Sequence, residues 1–302
     1  RDPQLASLHT KRTYTGALAD FEQWRAGRAI TKTLAEEYAA HLQALGQAPA
    51  TVNHKLSAVR WWARRVADLA AEDPRADPEQ VAAIARQAER VASVGNVKGN
   101  STQRGRHVLE GEIKALLEAC AADHSAAGVR DAAMLALAFA TGMRRAEIAA
   151  LQRGDVAPDG DGYTIEVKQG KGQKSRTVAV FGGARDYLVD WLAVRGEDPG
   201  ALFVAILKSG RVTGDGISTR AMQKVLDKRA NEAGITDPIG WHDARRTLAG
   251  NLLDQGTDIA TVQQIMGHSS PVTTARYDRR PEATRRRALQ TLHIPYVRRR
   301  ML

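Results

Sequence analysis

Arg144 occupies a position where a helix would normally bury an apolar side chain. In residues 140–151 (ATGMRRAEIAAL), Ile148 and Leu151 follow Arg144 at i+4 and i+7, so helical geometry puts the three side chains on one face. We expect that face to be buried. A buried guanidinium is costly unless an anion meets it. The anion is either a local carboxylate, with Glu147 as the nearest candidate, or one that binds from outside.

A second predicted helix repeats this pattern. In residues 241–256 (WHDARRTLAGNLLDQG), His242 and Arg245 are three residues apart, and Arg245 shares its stripe with Ala249 and Leu252. Arg246 lies about 100° round the helix and is expected to face solvent. Two inward arginines and a histidine, without obvious local carboxylate partners, indicate a site built for an anion.

Lys171 could assist at such a site. It lies in Gly170-Lys171-Gly172, at the glycine-rich tip of a predicted hairpin, and its flanking cations are Lys168, Lys174 and Arg176. A lysine at a hairpin tip is usually just solvated, but this cluster could also reach a phosphate backbone. The stretch does not match the nucleotide-binding P-loop, which needs a different glycine spacing before a helix.

Tyr277 is the candidate nucleophile. It follows Gly267-His268 and has arginines around it at 276, 279 and 280. Most tyrosines near arginines simply pack or stack. A tyrosine with its usual pKa near 10 attacks only when other groups assist it.

Composition narrows the class of protein. The chain of 302 residues is long enough for two domains, and its net charge of +10 is compatible with nucleic acid. Residues 276–302 alone carry nine arginines against two acidic residues. The single cysteine, Cys120, excludes an internal disulfide and a cysteine-based zinc site. No apolar run is long enough to span a membrane. Because the chain begins at Arg1 without a methionine, we expect that some residues precede it.

The apolar periodicity predicts a mainly α protein with a small β-hairpin and two domains. Residues 1–95 contain four amphipathic helices, with Thr33 predicted to cap the second. Residues 96–107 are basic and glycine-rich and form the predicted linker. In residues 108–302 helices surround one hairpin, whose strands are expected at 163–167 and 177–181.

The order of these motifs resembles that of the tyrosine recombinase, or phage integrase, family. The matching residues are Thr141-Gly142-Met143-Arg144-Arg145-Ala146-Glu147, Gly170-Lys171-Gly172, His242-Asp243-Ala244-Arg245, Gly267-His268 and Tyr277. Each motif is weak alone, but five in order are specific. The resemblance is sharpest after residue 108, and the N-terminal helices look like the family's SAM-like core-binding domain. One departure is Arg145, where an apolar residue is expected.

The resemblance implies an α+β catalytic domain and a role for each residue of its site. Arg144 and Arg245 would clamp a scissile DNA phosphate, and Tyr277 would attack it to give a 3′-phosphotyrosyl intermediate. Lys171 would be the general acid for the leaving 5′-oxygen, His242 would assist proton transfer, and His268 would bond the phosphate. No cofactor and no metal would be required.

The resemblance also implies partners. We expect double-stranded DNA, a homotetramer on two DNA sites that passes through a Holliday junction, accessory DNA-bending proteins in some settings, and no membrane. The expected location is the prokaryotic cytoplasm, with the nucleoid, in a cell, virus or mobile element. Candidate DNA contacts are Thr51, His54, Lys55, Arg60, Arg64, Lys98, Arg104, Arg106, Lys174 and Arg176.

Two other functions stay open at this point. One is a type IB topoisomerase-like enzyme that relaxes supercoils as a monomer. The other is an accessory protein that binds DNA without cutting it. Within recombinases, mobile-element integration, transposon cointegrate resolution and chromosome-dimer resolution stay open, and residues 273–280 (TTARYDRR) with their arginine-rich continuation resemble mobile-element integrases more than Xer proteins.

Overall fold

The computed structural model describes residues 8–99, 105–168, 175–207 and 209–267. The chain divides into two units, Arg1–Arg104 and Gly105–Leu302. This division falls inside the predicted linker. The assignment of the two units as a DNA-binding and a catalytic domain stays a prediction.

Four helices make up the first unit: α1 (Leu8–Arg25), α2 (Lys32–Ala44), α3 (Pro49–Glu72) and α4 (Pro78–Ala92). Prolines begin α3 and α4, where a missing N–H costs nothing. The Thr31 hydroxyl caps α2 by accepting from the Leu34 N–H, so the prediction that Thr33 is the cap is wrong by two residues. The aromatic rings of Phe21 and Tyr38 meet edge to face in the core.

Seven α-helices of the second unit are described, together with a short 3-10 helix at Arg153–Asp155. They are α5 (Glu110–Ala121), α6 (Ala126–Thr141), α7 (Arg145–Ala150), α8 (Gly182–Arg195), α9 (Thr219–Glu232), α10 (Trp241–Asp254) and α11 (Ile259–Met266). Helix α6 is apolar on almost every side and is buried along most of its length. It packs against α5, α8 and α10, so it is the central element of this core.

Two small antiparallel sheets complete the described part of this unit. Strands β1 (Val156–Asp159), β2 (Gly162–Val167) and β3 (Arg176–Val180) form the first sheet in that order. The predicted hairpin corresponds to β2 and β3, which pair with Ile165 opposite Val178. The sequence did not predict β1, nor the second sheet of β4 (Val204–Ile206) and β5 (Val212–Gly216). The hairpin tip lies outside the described residues.

A buried ion network ties α6 to α9. Asp131 accepts hydrogen bonds from Arg130 and from Arg229, and the Arg229 Nη2 atom also donates to Asp123 at 2.6 Å. Arg130 also donates to the Val204 carbonyl, which anchors β4. The side chain of Arg229 is only 1% exposed, and the carboxylates around it raise its pKa although burial lowers it. Sequence analysis missed this network, because its members lie up to 106 residues apart.

In the described ranges, no helix combines the length and the apolar character that crossing a bilayer requires.

Candidate active site

The turn between α6 and α7 sets the position of Arg144. Gly142 ends α6 in the left-handed conformation at φ 60°, which glycine adopts without a steric penalty. Arg144 is then extended, and α7 begins only at Arg145. The prediction that Arg144 lies on a buried helical stripe is therefore wrong. Its side chain is 46% exposed, because it precedes the helix and does not share the face of Ile148.

Glu147 is the centre of the contacts around Arg144. It accepts from the Arg144 backbone N–H and from Arg144 Nη1, both at 2.8 Å. On its other side, Arg176 at the start of β3 donates two hydrogen bonds to it, at 3.1 and 2.7 Å. Burial raises the pKa of Glu147, but the bonds from Arg176 and Arg144 outweigh it and lower the pKa to about 2. The local carboxylate was one of the two explanations offered for Arg144, and the structure contains that pair.

Arg245 on α10 is buried, as its helical stripe predicts, with 1% of its surface exposed. Its Nη1 donates to the carbonyl of Gly142, and its Nη2 donates to the carbonyl of Met266. These carbonyls lie at the C-terminal ends of α6 and α11, where the backbone dipoles favour a cation. Arg245 therefore joins the turn before Arg144 to the end of α11.

Two neighbours of Arg245 differ from the prediction. His242 is exposed, whereas we expected it to point into a packed region, and Arg246 is buried, whereas we expected it in solvent. Residues 105–108 explain the second difference, because they lie against α10. There the Gly105 carbonyl accepts from Arg246, and Asp243 accepts the N–H of Arg106.

The charge state of His242 follows from this environment. Although His242 is exposed in part, the rest of its ring is shielded from water by the protein; this desolvation lowers its pKa, and the positive charges of Arg245 and Arg246 lower it further. This environment therefore favours the neutral imidazole over the charged one. A neutral ring can accept a proton or donate its single N–H to an anion.

These side chains meet in one pocket of about 420 Å³. Three of the six predicted catalytic residues line it, namely Arg144, His242 and Arg245. The other described lining residues are Met143, Arg145, Gln223, Gly240 and Trp241, and none of the eight is acidic. The arrangement is suited to bind an anion and to stabilise negative charge that develops on it.

The other three predicted catalytic residues, Lys171, His268 and Tyr277, lie outside the described residues. The chain just before His268 is described. Gly267 ends α11 at φ 59°, and a Cβ atom added to it would come within 3.0 Å of Arg176 Cδ. The chain therefore leaves α11 beside Arg176 and Arg245.

The predicted DNA contacts divide into two groups. Thr51, His54, Arg64 and Lys98 are exposed. Lys55 is held by Asp20 at 2.9 Å, and Arg60 donates to the Gly95 carbonyl and to Asn96. Burial and the charge of Arg64 lower the pKa of Arg60.

The candidates Arg106 and Arg176 are also engaged within the protein. Arg106 forms a two-bond pair with Glu112 at 2.7 Å, which raises the pKa of Arg106. Arg176 is occupied by Glu147. We expected all four engaged cations (Lys55, Arg60, Arg106 and Arg176) to face DNA. Each bonds to a protein partner in the folded chain, and a DNA contact from any of them stays a prediction. Arg104 and Lys174 lie outside the described residues.

Sequence reasoning missed the residues that hold the site together. Glu147 was considered only as a partner of Arg144, and the roles of Arg176 and Gln223 were not foreseen. Glu147 is three residues after Arg144, the spacing of a helix capping box, and this signal could have placed Arg144 at the N-cap. In the part of the chain that the structure describes, no cluster of His, Cys, Asp or Glu could hold a metal ion.

Comparison with known proteins establishes the family. Residues 106–283 match the phage integrase family. Tyrosine recombinase XerD of Ralstonia nicotianae is 31% identical over 304 residues, which cover 95% of this chain and 88% of that protein. Tyrosine recombinase XerC of Corynebacterium glutamicum is 40% identical over 152 residues, covering 49% of this chain and 46% of that protein. The chain belongs to the phage integrase family.

The coverage of these relatives varies. The chain spans about half the length of the XerC proteins of C. glutamicum and Corynebacterium efficiens, at 46% and 52%. Its alignment with XerD of R. nicotianae covers most of both proteins.

Solved structures agree with the fold. XerH bound to a palindromic difH substrate has a TM-score of 0.69 at 21% identity, covering 95% of this chain and 80% of that one. The Tn1549 transposon integrase in complex with transposon right end DNA has a TM-score of 0.66 at 16% identity, covering 96% and 95%. The predicted fold class, mainly helical with small antiparallel sheets, is confirmed.

Proposed function

We propose that this protein is a site-specific DNA recombinase that cuts and rejoins DNA strands through a covalent bond to Tyr277. One observation supports this most directly. Arg144, His242 and Arg245 come from sequence positions about 100 residues apart and line one pocket without an acidic lining residue. An anion the size of a phosphodiester group suits such a pocket, and the related structures are a complex with a difH substrate and a complex with transposon right end DNA.

The first chemical step is a phosphoryl transfer. The Tyr277 oxygen attacks the scissile phosphorus, a new P–O bond forms to the tyrosine, and the bond to the 5′-oxygen breaks. Lys171 supplies the proton that the 5′-oxygen takes as it leaves. Arg144 and Arg245 stabilise the charge on the non-bridging oxygens, and each such donor contributes on the order of 3 kcal/mol to the transition state. His268 bonds the same phosphate.

His242 accepts the tyrosine proton in this scheme. The environment that lowers its pKa favours the neutral form before DNA binds, and the negative phosphate then raises that pKa and favours proton uptake. The energy of the broken phosphodiester is retained in the tyrosyl bond, so the reverse reaction needs no cofactor. The 5′-hydroxyl of a second duplex attacks the tyrosyl phosphate, which gives strand exchange through a Holliday junction.

Strand exchange between two duplexes needs four active sites, so the proposed assembly is a homotetramer on two DNA sites. Accessory DNA-bending proteins and a mobile-element integration role belong to the same proposal. The place of action would be with the nucleoid in a prokaryotic cytoplasm, where such DNA lies.

Covalent capture on DNA tests this function. The protein and its Tyr277→Phe variant are incubated with fragmented DNA from the source genome, denatured in SDS, and the protein-linked ends are sequenced. We expect wild type alone to retain DNA, through 3′ ends at a repeated sequence. Equal, reversible binding by both forms, with no capture even on a nicked substrate, would support the accessory DNA-binding function. Relaxation of supercoils without paired sites would support the topoisomerase.

A further inference from the structure

Arg145 is a half-buried cation whose partner is neutral. It is the first residue of α7, and its Nη1 donates to Gln223 Oε1 on α9 at 2.8 Å. Gln223 is oriented in turn, because its Nε2 donates to Asp227 at 2.9 Å. Among the described residues no carboxylate forms an ion pair with Arg145. A guanidinium that is partly removed from water against an amide keeps its full positive charge.

The charge of Arg145 lies at the candidate active site. Arg145 and Gln223 both line the pocket that contains Arg144, His242 and Arg245. The pocket wall is thus formed from the start of α7, one face of α9 and the start of α10. Glu147, the nearest acidic residue in sequence, is occupied by Arg144 and Arg176.

We infer that Arg145 is a DNA-binding residue that contacts a backbone phosphate next to the scissile one, with Gln223 holding its guanidinium toward the pocket. A planar guanidinium presents several N–H donors, so one edge can bond to Gln223 while another bonds to a phosphate oxygen. The alternative is that Arg145 only fills the contact between α7 and α9. This inference rests on the proposed function, since it needs DNA in the pocket.

The salt dependence of DNA binding tests the phosphate contact. Each phosphate that a protein neutralises adds about 0.9 to the slope of log affinity against log salt concentration. Arg145→Leu should therefore lower this slope by about 0.9 on a mixed-sequence duplex. It should weaken binding about eightfold at 0.1 M salt, with the difference vanishing as the salt concentration approaches 1 M. Arg145→Lys should keep most of the slope, because it keeps the charge.

Two more variants separate a phosphate contact from general effects. Arg185→Leu removes one positive charge from α8. Arg185 is not among the residues that line the pocket, and its Nε lies 3.1 Å from the Asp186 carboxylate. Its slope should stay at the wild-type value. Gln223→Glu leaves Arg145 in place but puts a carboxylate against it, so it should lower the slope as Arg145→Leu does. An unchanged slope in both Arg145→Leu and Gln223→Glu would overturn the inference.

A neutral phosphate identifies the position of the contact. On the site found by covalent capture, single phosphates are replaced by methylphosphonates, and strand cleavage is measured. Replacement next to the scissile phosphate should slow wild type but have little further effect on Arg145→Leu, because the partner is already absent. Additive effects of the two changes would refute the contact. If wild type forms no tyrosyl link, the proposed function fails, while the salt slopes still decide whether Arg145 contacts DNA.

Discussion

Removing the charge of Glu147 should destabilise the second unit by a few kcal/mol. The carboxylate accepts four hydrogen bonds from Arg144 and Arg176, and its side chain is 11% exposed. Its pKa falls from an ordinary 4.5 to about 2 in the folded protein. At about 1.36 kcal/mol for each pH unit, the ionised form adds about 3.4 kcal/mol to stability at neutral pH. Glu147→Gln keeps the shape and loses this contribution.

The pH dependence has a definite sign. A carboxylate whose pKa is lowered by folding stabilises the protein above its unfolded pKa, and the stabilisation is lost as the pH falls toward the folded pKa. For Glu147 that window runs from about 4.5 down to about 2. At pH 3 the contribution has fallen to about 1.4 kcal/mol. The gap between wild type and Glu147→Gln should therefore narrow by about 2 kcal/mol between pH 7 and pH 3.

Hydrogen exchange in a urea series measures this gap for the second unit alone. Peptides from α6 report the unfolding free energy of the core beside Glu147, without assuming that both units unfold together. The control is Glu118→Gln, because Glu118 is exposed and pairs with Lys114 one turn away. That change should cost less than about 0.5 kcal/mol. A gap for Glu147→Gln that is small, or equal at both pH values, would show that the carboxylate does not hold the two arginines.

Three further predictions concern the same unit. Gly267→Ala should cost about 1–2 kcal/mol of stability, because alanine is strained at φ 59° and its Cβ would press on Arg176. The control is Gly111→Ala on α5, where the added Cβ meets open space and should cost no stability. Urea unfolding measures both variants. Asp131→Asn should cost about 3–5 kcal/mol of stability, because it leaves Arg130 and Arg229 buried without their shared carboxylate. The control is Asp186→Asn, which removes an exposed carboxylate and is measured by the same unfolding experiment. In an NMR titration the pKa of His242 should lie below 6.5, and it should rise in Arg246→Gln because a nearby positive charge is removed. The protein should also lose stability as the pH drops below about 6.5, because the unfolded chain takes up the proton on His242 before the folded chain does. A pKa at or above 6.5 would contradict the assigned environment.

The sequence predicted helices and strands well where the spacing of apolar residues distinguishes one from the other. Helices such as α6 and α10 carry apolar residues at helical spacing, and β2 and β3 alternate, so element type and order follow from local pattern. Apolar periodicity alone misplaced Arg144, and only the capping-box spacing of Glu147 could have corrected it. Arg144 is the last residue before α7, and its backbone N–H donates a hydrogen bond to the Glu147 carboxylate.

Pairing between distant residues is the part that the sequence could not give. Lys55 and Arg60 look like free cations on a helix, but Asp20 and the Gly95 carbonyl occupy them. Arg246 was expected in solvent because no local feature shows that residues 105–108 cover α10. Whether a cation on a helix has a protein partner depends on tertiary structure, so its local sequence does not reveal the pairing.

The group that a guanidinium contacts inside the protein bears on whether the arginine has a structural role or binds an external anion. Arg229 and Arg145 are both removed from water, at least in part. Arg229 meets Asp123, Asp131 and Glu232, so its charge is neutralised inside the protein and has no further partner to find. Arg145 meets the amide of Gln223, which orients the guanidinium without cancelling its charge. Burial is expensive in both cases, and for Arg145 the compensating anion has to come from the pocket side. Glu147 pairs with both Arg176 and Arg144, and exposure separates the two: the side chain of Arg144 is 46% exposed and lines the pocket, whereas that of Arg176 is 12% exposed, so Arg176 is assigned to positioning.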